Sequence, residues 1–199
     1  MKKNISLIDF GAGNLHSVYK AFKYVGADIE ITSDKNMIDK SSAVVFPGVG
    51  AFGAVMDDIQ SSGLEDIVIK SANSAKPFLG ICVGMQVLFE SGEENPNIKG
   101  LGVFKGKVNK FKKAKTIPHI GWNDVVYCNG FNIQNKKFYF VHSYYVVPED
   151  KKIICAETNY ENETFTSMIK KENLLAVQFH PEKSGEAGLE LLRSFVKNI

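Results

Sequence analysis

The 199-residue chain carries 44% apolar and 23% charged residues and a net charge of +2, ordinary values for a globular protein able to bury one sizeable core. So mild a charge argues against a nucleic-acid partner, which calls for clustered basic residues; the densest basic run, residues 105–115, reads as a solvated strand and loop. The three cysteines, Cys82, Cys128 and Cys155, form no C-x-x-C pair, which argues against a disulfide framework or structural zinc, and no apolar run approaches the ~18 residues of a membrane span.

The first apolar run, residues 5–10, meets Asp9 too early for a signal peptide. Stopped by Gly11-Ala12-Gly13-Asn14, it predicts a buried strand and turn. With free thiols, a reducing cytoplasmic setting is expected. Leu15, Val18, Tyr19 and Phe22 recur at helical spacing, with Gly26 as the stop. Residues 28–32 and 43–46 are further strands, the second ended by Pro47 and the glycines after it. Residues 53–74 predict helix broken near Gly63, residues 77–82 a buried strand, and residues 84–90 the opening of another helix. Continuous apolar strands alternating with helices argue for an α/β fold with a parallel sheet covered on both faces.

The second half reads differently. Residues 102–111, 138–147, 153–158, 164–171 and 173–179 are closely spaced strand candidates, which predicts an antiparallel or mixed extension of the sheet. Residues 184–198 close the chain as an amphipathic helix with Ser184 as its N-cap candidate. No Pro/Gly/Ser-rich linker separates the halves, so one domain over residues 1–199 is expected.

Three segments carry candidate chemistry. Gly80-Ile81-Cys82-Val83-Gly84 is a G-x-C-x-G pattern at a predicted strand-to-helix turn, where small neighbours allow a strained nucleophile. A helix starting there would direct free amides at the sulfur and favour thiolate; read alone, the pattern also fits a core cysteine. In Gln178-Phe179-His180-Pro181-Glu182, Pro181 biases His180 to an extended shape. His180 and Glu182 would then project to one side as a base and its orienting acid; alone they also fit a surface pair. Phe46-Pro47-Gly48-Val49-Gly50 ends an apolar strand with uncovered amides, which suit an anion or an ordinary turn. In a parallel sheet all three would lie at strand carboxyl ends, where such folds place their sites.

Taken together, residues 80–86 and 179–185 resemble the triad class of glutamine amidotransferases, whose fold is a single flavodoxin-like α/β domain. The segments around Asp9–Val18, Phe46–Gly53, Ile117–Asn123 and Phe140–Tyr145 resemble one subfamily, the glutaminase subunits of imidazole glycerol phosphate synthase. Val83 stands where that family more often has leucine. The resemblance implies Cys82 as nucleophile, His180 as general base and acid, and Glu182 as orienter. It implies an oxyanion hole from the amides of Val83 and Val49. It places glutamine against Gly50, Gln86, Glu94 and the backbone of Ser143 and Tyr144. It implies docking on a (β/α)8 cyclase through Asn14, Trp122, Tyr139 and Lys183, with ammonia passed between the subunits and no cofactor or metal. His142 is read as structural, as are Cys128 and Cys155. The glutaminase alone is expected to idle, with the 47–50 turn flipping to a productive orientation when the loaded partner is present. A paralogue serving a different synthase, a non-catalytic module on this fold, and another thiol hydrolase are the competing readings.

Overall fold

A computed structural model describes residues 3–11, 14–127 and 136–199; Cys128 lies outside them. The first half alternates as its apolar pattern predicts. Strand β1 (Asn4–Ile8) leads to helix α1 (Leu15–Tyr24), whose first turn is capped by the Asn14 side chain accepting from the Ser17 amide at 3.4 Å. Val18, Ala21 and Phe22 face inward along α1. Strand β2 (Asp28–Thr32) matches its expected bounds. A short helix not expected from the sequence, α2 (Lys35–Lys40), follows, started by the Asp34 carboxylate accepting from the Asn36 and Met37 amides. Strand β3 (Ala43–Gly48) is buried throughout; helices α3 (Phe52–Ser61) and α4 (Glu65–Ala72) part at the predicted break around Gly63.

Strand β4 (Phe78–Cys82) runs into α5 (Val83–Gln86). The helix expected over residues 84–90 is thus a single turn, because the chain re-enters a sheet as β5 (Phe89–Gly92). Strands β6 (Phe104–Lys110), β7 (His119–Tyr127), β8 (Lys136–His142), β9 (Tyr144–Pro148), β10 (Ile154–Tyr160), β11 (Glu163–Lys171) and β12 (Leu174–Val177) follow, and α6 (Gly185–Lys197) closes the chain. The single strand expected over residues 138–147 is two, divided at Ser143, which lets β8 and β9 join different sheets.

The main sheet has the order β2-β1-β3-β4-β12-β11-β10-β7-β8, and a second sheet the order β5-β6-β9. Strands β2, β1, β3, β4 and β12 are mutually parallel, and β11, β10, β7 and β8 extend them antiparallel. The expected mixed extension is therefore present. Phe46 and Phe78 pack at 6.0 Å between neighbouring strands, and Phe22 of α1 meets Phe195 of α6 at 6.1 Å. The packed parallel half sets the ends of β3, β4 and β12 beside one another.

Candidate active site

Register pairs Gly48 of β3 with Cys82 of β4, and Val177 of β12 with Ile81. The next residues on the three strands, Val49, Val83 and the segment from Gln178, therefore converge at the carboxyl edge of the sheet. Cys82 sits at the turn with φ 55° and ψ −114°, a conformation costly for a residue with a side chain. Close packing holds it there. A methyl group on Gly84 would stand 2.2 Å from the Phe46 carbonyl oxygen, and one on Gly48 would stand 2.5 Å from the Gly84 nitrogen. Gly80 faces the Ala176 methyl, where an added Cβ would come within 3.0 Å. These glycines let β3 and β12 press against the turn from both sides.

His180 is extended, as Pro181 requires, with φ −102° and ψ 96°. The residues after it do not continue that extension. Pro181–Lys183 forms a 3-10 turn, so Glu182 reaches back by a turn rather than by strand alternation. The outcome is the expected contact: His180 Nδ1 lies 2.8 Å from Glu182 Oε1, with both side chains 2% exposed. Ser184 does not cap α6 with its side chain. Its hydroxyl donates to the His180 carbonyl at 2.6 Å and accepts from the Tyr139 amide at 3.0 Å, fixing the turn to β8. Burial pushes the His180 imidazole down, but Cys82 and Glu182 beside it outweigh burial and raise it to about 10. His180 therefore carries a proton at neutral pH. Its Nε2 is buried, and with Nδ1 held by Glu182 it is the ring nitrogen left to interact with Cys82.

Cys82 and His180 share a cavity of about 410 Å³ with Val49 and Val83, a volume suited to a small molecule. Gly50, Gln86, Glu94, Ser143 and Tyr144 line it as well. The two turn glycines have different roles. Gly48 serves close packing, whereas Gly50 takes φ 106° with open space around it, so conformational freedom resides at Gly50. Glu94 is neither a free surface acid nor solely a wall of the cavity. Its Oε2 accepts from the Phe52 amide at 2.7 Å, and Asn95 Oδ1 accepts from the Gly53 amide at 2.9 Å. The loop after β5 thus clasps the N-terminus of α3, directly after the 47–50 turn. The backbone carbonyls of Ser143 and Tyr144 are occupied internally, the first by the Phe111 amide at 3.2 Å and the second by Gln86 Nε2 at 3.0 Å.

The four docking candidates lie around this edge. Asn14 and Lys183 border the cavity mouth. Trp122 is 55% exposed and pairs across the β7–β8 ladder with Tyr139, ring centroids 6.2 Å apart. Ile120 and Val141, another register pair, extend the apolar face, as does exposed Val126. Sequence reasoning missed these three, and it missed Gln178, a glutamine with no exposure whose Nε2 lies 3.7 Å from Cys82 Sγ. The available signal was a glutamine inside the apolar run 174–179. Among the described residues no cluster of His, Cys, Asp and Glu suits a metal ion, and no helix is long and apolar enough to cross a membrane.

The family model for class-I glutamine amidotransferases matches residues 6–199. The imidazole glycerol phosphate synthase subunit HisH of Pyrococcus furiosus is 52% identical over 196 residues, covering 96% of this chain and 97% of that protein. The imidazole glycerol phosphate synthase hisHF of Schizosaccharomyces pombe is 43% identical over 96% of this chain, but the match takes up 38% of that longer protein. Among solved structures, one described as a glutamine amidotransferase superposes with TM-score 0.77 at 17% identity, covering 97% of this chain and 98% of that one. PurLQS from Thermotoga maritima superposes with TM-score 0.74 at 19% identity, covering 100% and 99%. These structural likenesses speak for the fold. With the family model and the sequence relatives agreeing along nearly the whole length, the chain belongs to the class-I glutamine amidotransferases and, within them, to the HisH subunits of imidazole glycerol phosphate synthase.

Proposed function

We propose that the chain hydrolyses glutamine to glutamate and ammonia as the glutaminase subunit of imidazole glycerol phosphate synthase, and delivers the ammonia to a (β/α)8 cyclase subunit. The observation that carries this reading is the alignment of three groups: Cys82 and His180 line one cavity, Cys82 is the neighbour that most favours the charged imidazole, and Glu182 Oε1 lies 2.8 Å from its Nδ1. In this reading Cys82 Sγ attacks the side-chain carbonyl carbon of glutamine as thiolate. The amides of Val83 and Val49 receive the oxyanion, each donor contributing about 3 kcal/mol in the transition state. His180, protonated at neutral pH, gives its Nε2 proton to the leaving nitrogen, and ammonia departs from a glutamyl thioester. Water then attacks the thioester and returns a proton to His180; the thiolate leaves and glutamate is released. Glu182 accepts from Nδ1 and holds the imidazolium in place.

Glu94 supplies a negative charge in the cavity lining for the α-ammonium of glutamine, and Gln86 lines the same cavity. The exposed face of Trp122, Tyr139, Ile120 and Val141, with Asn14 and Lys183, receives the cyclase; a lone tryptophan at the centre of an apolar patch suits an anchoring role. The longer hisHF relative, of which the match takes up 38%, supports association with a further activity. The reaction belongs in the cytoplasm, where a catalytic thiol stays reduced. Glutamate release by the chain reconstituted with its cyclase is the test: Cys82→Ala must abolish it, and retained turnover would refute the assignment. Equal hydrolysis with and without the ligand-loaded cyclase would remove the proposed dependence on the 47–50 turn.

A further inference from the structure

Buried polar groups pair, and the direction of each donor can be followed through the interior from β7 to Cys82. His142 Nδ1 lies 2.8 Å from the Tyr144 carbonyl oxygen. A carbonyl only accepts, so Nδ1 carries the hydrogen and neutral His142 accepts at Nε2. His119 Nδ1 lies 3.1 Å from that Nε2 and must donate to it. His119 Nε2 is then the acceptor, with Asn123 Nδ2 at 3.4 Å. The Tyr144 carbonyl takes a second donor, Gln86 Nε2, at 3.0 Å. The other hydrogen of that amide goes to Gln178 Oε1, also at 3.0 Å. This settles which end of the buried Gln178 amide faces where: Oε1 turns to Gln86, and Nε2 turns to Cys82 Sγ at 3.7 Å.

We propose that Gln178 is a hydrogen-bond donor to the reacting sulfur of Cys82, and that Gln86, His142 and His119 are positioning residues that keep its N–H end turned that way. The histidines suit the task because their rings are locked by aromatic neighbours. His119 stacks against Tyr160 at 3.9 Å and Phe140 at 4.9 Å, and His142 packs on Phe165 at 4.9 Å. Burial keeps both neutral, and neutrality is required: a doubly protonated His142 would lose the acceptor that His119 needs. A donor aimed at sulfur favours thiolate over thiol, both for attack and for departure from the thioester. Both Nε2 hydrogens of Gln86 are spent inside the protein, so this side chain can offer substrate only its carbonyl oxygen.

The inference rests on Cys82 being the glutaminase nucleophile, and its test separates the two. Alkylation of Cys82 by iodoacetamide at pH 7, assigned by mass spectrometry, reads thiolate in the full chain without any partner. Gln178→Met, of similar shape but without a donor, is expected to slow alkylation about tenfold, and to lower kcat in the reconstituted complex by a similar factor. His142→Asn retains a donor near the place of Nδ1 and keeps most of the alkylation rate; His142→Leu loses it. In the wild-type chain, where folding is not at issue, the Gln178 side-chain amide NMR resonance must move as Cys82 is titrated. A wild-type alkylation rate in folded Gln178→Met, or an amide resonance indifferent to Cys82, overturns the proposal. Full glutaminase turnover in Cys82→Ala would overturn the proposed function instead, while the alkylation and NMR measurements would still report on the hydrogen bond.

Discussion

Gly84→Ala tests the link between close packing and the strained turn. The new methyl carbon would stand 2.2 Å from the Phe46 carbonyl oxygen and 3.1 Å from the carbonyl carbons of Phe46 and Pro47. An unstrained carbon–oxygen contact is about 3.3 Å, so β3 and the turn must separate by roughly 1 Å. Neither segment is free to yield, because the register runs from Val44–Phe78 through Gly48–Cys82 without a shift. Overpacking of this kind costs about 3 kcal/mol, which lowers Tm by roughly 10 °C in a chain of this size. The same displacement moves Cys82 and the Val83 amide relative to His180, and a misplacement of ~1 Å costs about 100-fold in rate. Thermal unfolding followed by circular dichroism and glutamate release in the reconstituted complex measure the two effects. Gly26→Ala is the control: Gly26 has φ 82° but no heavy atom near its would-be Cβ, so the change costs about 1 kcal/mol of backbone strain and leaves the rate alone. An unchanged Tm and rate in Gly84→Ala would refute the packing argument.

Stability should peak near pH 6.5, the ordinary histidine value. His180, raised to about 10 by its neighbours against burial, contributes stability that is complete below 6.5 and lost as pH climbs to 10. Burial lowers His142 to about 3 and His119 to about 4, so their contribution is present above 6.5 and lost on acidification toward 3. For His142 or His180 alone the limiting slope is about 1.4 kcal/mol per pH unit; a Tm that stays flat from pH 6.5 to 4.5 would contradict this account. Glu94→Gln keeps an acceptor for the Phe52 amide but loses the charge, so KM for glutamine should rise about tenfold with little change in Tm. Glu94→Ala also gives up the contact at the α3 N-terminus and should cost about 1 kcal/mol of stability; equal KM values for both variants and wild type would remove Glu94 from substrate binding. Trp122→Ala should weaken cyclase binding at least about tenfold while Tm holds, because the ring is 55% exposed. Titration calorimetry showing wild-type affinity would end its role as an anchor.

The parallel half of the fold was legible because β1, β3 and β4 are buried along nearly their whole length and read as apolar runs; the edge strand β2, which alternates, and the break near Gly63 also lie where expected. Strand β7 escaped notice because its pattern is inverted. Its outward positions hold Ile120, Trp122 and Val126, while its inward positions include His119 and Asn123, whose side chains are engaged in hydrogen bonds. Periodicity that assumes apolar means inside cannot recognise such a strand. Helix α2 buries only Ile38 and gave too weak a stripe. At the site, the Cys82, His180 and Glu182 pattern was readable from residue type and spacing, although the turn after His180 differs from the extended form assumed. Gln178 was not readable, since a glutamine's value depends on which way its amide points, and that is set by Gln86 at the end of α5 and Tyr144 at the start of β9, both far away in sequence.

The alternation along β7 has a consequence for how the chain tolerates change. Its odd-numbered positions turn inward, with His119 buried and half-buried Asn123 beside it, and its even-numbered Ile120 and Trp122 turn to the surface. Inserting one residue between Gly121 and Trp122 would exchange the two faces beyond that point. The tryptophan would turn inward, toward the place where Asn123 meets His119, and Asn123 would turn outward. Inserting two residues would restore the faces and shift only the register against β8. Insertion scanning of this strand should therefore oscillate with the parity of the inserted length, failing in thiol reactivity and partner affinity together at odd lengths. A loop or a helix in the same place would show no such rhythm.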